Sequence, residues 1–168
     1  MNLEIWMLTF LMIFMLHNLE EIIMVERWLK KTYPKVRKKI PLFAQKEINR
    51  VKDMTSIRFA VVVFVLSIFA SVLLLIFATT QLVFLFVGLN LFFALNIFTH
   101  PLQSLFLKCY TPGVWTSIFL IIPYYILFFD HFSKAGAFTI QTMIGAFLVI
   151  VIFIPIFLFS HKIAAKWF

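Results

Sequence analysis

Four stretches of this chain run for 17 residues or more without a single Lys, Arg, Asp or Glu: Phe59 to Ala78, Leu82 to Leu107, Gly113 to Phe129 and Ala137 to Ser160. A helix needs about 20 mostly apolar residues to cross the hydrocarbon core of a bilayer, where every backbone N–H and C=O must find its partner within the segment. A fifth stretch, Ile5 to Val25, is apolar through Leu16, meets His17-Asn18-Leu19-Glu20-Glu21, and returns to Ile22-Ile23-Met24-Val25. Met1 to Glu4 carries no basic residue and no small-residue cleavage pattern follows, so this stretch is taken as a span rather than a signal peptide. The expected fold is all-α, a multi-pass transmembrane bundle of about five spans (5–25, 59–78, 82–107, 113–129 and 137–160) forming one membrane domain over 1–168.

Composition excludes the alternatives. The chain is 63% hydrophobic and 13% charged, whereas soluble domains run at roughly 45–50% apolar and about 25% charged. Disorder requires low hydrophobicity. The single cysteine, Cys109, has no partner for an internal disulfide and reads as an inert reduced thiol.

Eleven of the 15 basic residues fall between Glu26 and Arg58, with three acids, so this segment carries the whole excess of +8. The positive-inside rule then places 26–58 in the cytoplasm, the N-terminus outside and the C-terminus inside, with only Lys134 among the basic residues left outside. A basic loop beside two spans is expected to lie on anionic lipid headgroups and not on nucleic acid. Within it, Leu42 to Met54 follows Pro41 and can form a short interfacial helix. Trp6, Trp28, Trp115 and Trp167 all fall near span ends, where aromatic rings anchor at the interface, and Pro123 and Pro155 are expected to kink their spans.

Ionisable groups at membrane depth are costly and therefore mark function. From Ile5, His17 lies roughly 18 Å and Glu21 roughly 24 Å into a core of about 30 Å. Glu20 and Glu21 stand about 60° to one side and 40° to the other of His17, so one helix face carries all three. In the third span Asn96 and His100 form an i, i+4 pair at similar depth, with Gln103 continuing the stripe. At the mouth of the fourth span, Thr111 can cap the helix start and Pro112 suits its first turn. His161 sits beside Lys162 as an interfacial residue that could add a ligand, and Asp130-His131 falls at the opposite end.

Taken together, His17-Asn18-Leu19-Glu20-Glu21, Asn96-x-x-x-His100 and Tyr110-x-Pro112-Gly113-x-x-Thr116 resemble the bacterial HXXEE family of small integral membrane proteins, in the family's order and over essentially the whole chain. The resemblance implies a helical membrane protein whose shared polar residues look like an active site, without naming a reaction.

Two imidazoles and two carboxylates at one depth suit a single divalent metal, Zn, Fe or Mn, with an open position for water. H-x-x-E-E is neither H-E-x-x-H nor H-x-x-E-H. The expected ligands are His17, His100 and Glu20 or Glu21, the other glutamate acting as general base, and Asn96 or Tyr110 stabilising an oxyanion; Thr116 joins them at the site. This describes a hydrolase or transferase acting on a lipid-like substrate at the cytoplasmic leaflet. A proton- or ion-coupled small transporter and a membrane interaction subunit are the competing classes, and a homo-oligomer is compatible with all three.

Overall fold

The computed structural model describes residues 3–42, 45 and 53–167, and among these the chain is helical with no strand. Five helices are long and apolar enough to cross a membrane: α1 (Leu3–Lys31), α2 (Ser56–Thr80), α3 (Val83–Leu107), α4 (Val114–Lys134) and α5 (Ile140–Lys166). The helices run past the charge-free stretches. α1 continues through Glu26 and Lys30, an i, i+4 ion pair at 2.5 Å, so the connection to α2 begins only at Thr32. A one-turn helix, Tyr33–Val36, and a 3-10 turn, Arg37–Lys39, open that connection. Of the helix expected over 42–54, Leu42 and Gln45 are helical, and residues 43, 44 and 46–52 lie outside the described residues.

α1 ties down the start of α2. Glu26 Oε2 accepts a hydrogen bond from Ser56 N at 2.9 Å, and the Thr55 hydroxyl accepts from Arg58 N, so two otherwise orphan N–H groups are satisfied. α2 ends at Gln81, in the left-handed region at φ 59°, and α3 at Lys108, φ 53°. The chain reverses there on long polar residues where glycine is more usual.

The core is aromatic. Phe10 of α1, Phe77 of α2, Phe86 of α3 and Phe128 and Phe132 of α4 are wholly buried, with Phe77 stacked on Phe86 at 5.0 Å and Phe128 on Phe132 at 4.3 Å. Phe10 also meets Phe93, so α1 and α3 touch through their rings. Within this core Asn90 is hydrogen-bonded on three sides: its side-chain amide donates to Phe86 O, its Oδ1 accepts from the Tyr124 hydroxyl and its backbone carbonyl from the Tyr125 hydroxyl. Trp6, expected as an interface anchor, packs against Tyr124 and Phe132.

α3 and α5 pack closely because both present glycine. A Cβ on Gly88 would lie 2.7 Å from Val149 Cβ and 2.9 Å from Ala146 O, and one on Gly145 would lie 2.6 Å from the Phe84 ring. In lipid, association rests on such close packing rather than on hydrophobic drive. Gly88→Val is accordingly expected to lower stability by about 2 kcal/mol, within the range of overpacked cores, read as a lower melting temperature in detergent. An unchanged melting temperature would show that this contact is not held in solution.

Prolines break two helices near the candidate site. Pro101 lacks an N–H and crowds the Ile97 carbonyl; one turn upstream α3 tightens at Leu95, whose N–H reaches Phe92 O and whose carbonyl accepts from Phe98 N. In α4 a π-helical stretch, Ser117–Ile121, precedes Pro123. Both irregularities flank residues singled out by their polarity.

Candidate metal centre

His17 is fully buried on the inner face of α1, and His100 of α3 meets it ring to ring, centroids 4.9 Å apart at 67°. Glu21, one turn beyond His17, lies between them. Its Oε2 is 3.8 Å from His17 Nε2 and its Oε1 is 3.4 Å from His100 Nε2. One ligand atom from each of the three residues falls within 4.8 Å of the others. His100 Nε2 also donates to Asn96 Oδ1, its i−4 neighbour, at 3.2 Å, so this nitrogen carries the hydrogen and would have to give up that bond to ligate.

The tautomer of His17 follows from its other nitrogen. Nδ1 is 2.8 Å from Thr116 Oγ1, and the Thr116 hydroxyl sends its one proton to Glu20 Oε2 at 2.6 Å, with Gly113 O at 3.2 Å as its other acceptor. Either way the hydroxyl can only accept from His17, so Nδ1 carries the hydrogen and Nε2 presents a lone pair. That lone pair is buried with no hydrogen bond, beside Glu21.

Glu20 plays a different part from its neighbour. Its carboxylate accepts from the Tyr110 hydroxyl at 2.7 Å, Trp115 N at 3.3 Å, Thr116 N at 2.8 Å and Thr116 Oγ1. α4 starts at Gly113 without a side-chain cap of its own. Glu20 supplies that cap from α1, and a negative charge at a helix N-terminus also complements the helix dipole. All four donors turn it away from the His17–Glu21–His100 cluster, so of the two glutamates Glu21 is the one placed as a ligand.

The turn before α4 is held at three further points. Thr111, expected to cap α4, instead donates its hydroxyl to His100 O at 3.2 Å, which leaves the helix start to Glu20. Trp28 Nε1 donates to Tyr110 O at 2.7 Å, and Ser104 Oγ to Cys109 O. Gly113 has φ 82°, and a Cβ there would fall 2.8 Å from His17 Cε1 and 3.0 Å from His100 Cε1. Burial, reinforced by the hydrogen bond to Glu20 and by the charges of both glutamates, pushes the Tyr110 phenol well above its ordinary value, so it remains a donor.

The polar residues therefore divide into two groups. Glu21, His100, Gln103 and His161 border a cavity of about 350 Å³ whose remaining walls are apolar, among them Trp28, Met54, Phe59 and Phe106. Glu20, Tyr110 and Thr116 border a separate open depression with Trp115. Asn96 stays beside His100, and the Tyr110 hydroxyl is engaged by Glu20. His131 packs on Trp6, about three turns along α1 from His17, and Asp130 pairs with Lys134. His161, set at the interface by sequence, borders the same cavity as Glu21, and Trp28 lines it rather than only anchoring a span end. The one sequence signal for His161 is that it is the first ionisable residue of its span.

Residues 8–128 match the family described as protein of unknown function with HXXEE motif. No curated protein and no solved structure matches the chain. The match takes in α1 through most of α4, including His17 to Glu21, Asn96 to His100 and Tyr110 to Thr116, and stops short of α5, so the resemblance is narrower than the whole chain. On a match over most of its length, this chain belongs to the HXXEE family.

Proposed function

We propose that this protein is a metal-dependent enzyme of the cytoplasmic membrane, a hydrolase or transferase acting on a lipid-like substrate at the cytoplasmic leaflet. The observation that supports it best is the cluster of His17, Glu21 and His100 on the wall of an apolar cavity. Metal bonds of about 2 Å would hold tetrahedral ligands about 3.3 Å apart, and one ligand atom from each of the three residues lies within 4.8 Å of the others, so the cluster would have to contract by at most about 1.5 Å to hold an ion. Three ligands leave the open position of a catalytic site, and a bound Zn, Fe or Mn there supplies Lewis acidity and an activated water.

The chain's own groups support this chemistry. Thr116, itself held by Glu20, fixes the His17 ring with its Nε2 lone pair inward, as hydrogen-bonded partners do for ligating histidines. Asn96 stands next to His100, where its amide can meet a substrate oxygen. Glu20, with both oxygens occupied, positions α4 and His17 instead of serving as a base. In this proposal the bundle end carrying the basic segment faces the cytoplasm, with that segment on anionic headgroups.

Elemental analysis of protein purified in detergent without chelator tests the metal centre. Close to one Zn, Fe or Mn per chain is expected, falling to background in the His17→Ala, His100→Ala double variant. No metal in the native protein after supplementation would overturn the proposal and favour proton-coupled transport through the same residues.

A further inference from the structure

The cavity beside Glu21 has a second polar edge. His161 of α5 borders it, half-buried, and its ring is held by Phe157 at 4.7 Å. The rim is basic: the exposed turn Arg37–Lys39 runs directly into Ile40 and Pro41, both lining residues, and Lys39 Nζ lies 3.4 Å from the carbonyl of Leu107, another lining residue. Between these edges lie Trp28, Met54, Phe59 and Phe106, and a volume of about 350 Å³ falls within the size range of small-molecule pockets.

We infer that this cavity binds an anionic phospholipid, its chain against Trp28, Met54, Phe59 and Phe106 and its phosphate at the rim, held by Lys39 and His161. The inference rests on the proposed lipid site and names its substrate class. A phosphate accepts from both an ammonium and an imidazole, and such charge-assisted bonds exceed neutral ones. A free phosphate lacks the apolar part that the walls would cover, so the chain is required.

Native mass spectrometry of the detergent-solubilised full chain, titrated with dioleoyl phosphatidate and dioleoyl phosphatidylcholine, tests this. Phosphatidate is expected to bind at least tenfold more tightly. Lys39→Ala, on an exposed turn and harmless to the fold, and His161→Ala should each reduce that preference severalfold. Met54→Trp, which fills the cavity, should weaken both lipids, and millimolar inorganic phosphate should not displace phosphatidate. Equal binding of the two lipids, a preference unchanged in both alanine variants, or displacement by inorganic phosphate would overturn the inference. Metal content measured on the same samples separates the two readings. Lipid preference without metal sinks the metal centre alone, whereas metal without lipid preference sinks this inference alone.

Discussion

Glu20→Ala is expected to cost about 3 kcal/mol of stability, while Glu21→Gln, one residue on, leaves stability within about 1 kcal/mol and removes the metal. The difference lies in what the two carboxylates hold. Losing an N-cap costs about 1 kcal/mol, and hydrogen bonds to a charged group contribute about 1.5–3 kcal/mol each before solvent screening of this half-exposed group reduces them. Glu20 accepts four such bonds, three of them from the first turn of α4, and no other side chain caps that turn. For a chain of this size 3 kcal/mol corresponds to a melting temperature lowered by roughly 10 °C. Glu21 instead faces His17 and His100 across 3.8 and 3.4 Å, so an amide of the same shape can replace it at little cost to the fold. Melting temperature and metal content on both variants check this. A stable Glu20→Ala that has lost its metal, beside an unstable Glu21→Gln, would reverse the assignment of the two glutamates.

Gly113→Ala should abolish metal binding and cost about 3 kcal/mol. The left-handed backbone at φ 82° charges an L-residue about 1–2 kcal/mol, and the added methyl meets His17 Cε1 at 2.8 Å and His100 Cε1 at 3.0 Å. His17 is wholly buried and bonded to Thr116, so its ring cannot withdraw without breaking that bond. The two imidazoles would be pushed off the positions that let Glu21 bridge them. Gly136→Ala is the matched control: its φ is 66°, but nothing lies within 4 Å of an added Cβ. It should show the backbone cost alone and keep its metal. Equal metal content in the two variants would show that the glycine is needed only for its backbone conformation.

Much of this protein was legible in its chain. Backbone groups cannot be left unpaired in lipid, so each long charge-free stretch had one viable structure, and the five helices lie where those stretches are. The pairs His17/Glu21 and Asn96/His100 were equally readable, because i, i+4 residues share a helix face whatever surrounds the helix. Counting rise per residue placed both pairs at one depth, and the structure brings them together.

Azimuth was not legible. A helix apolar on all sides carries no stripe to say which side faces a neighbour, so sequence could not tell which of two adjacent glutamates, 100° apart, would meet α3 and which α4. Packing decided that: Glu20 met the uncapped start of α4, and Glu21 was left between the histidines. Gly113 and His161 were both visible in the sequence, but the same limit hid what they face: two rings from distant helices for Gly113, and residues of α1 and α3 across the cavity for His161. The sequence by itself determined which segments are long and apolar enough to cross and where along each helix its polar groups lie, because those are properties of a single helix. Only the tertiary structure decided which polar groups share a site, because that depends on how each helix is turned toward its neighbours.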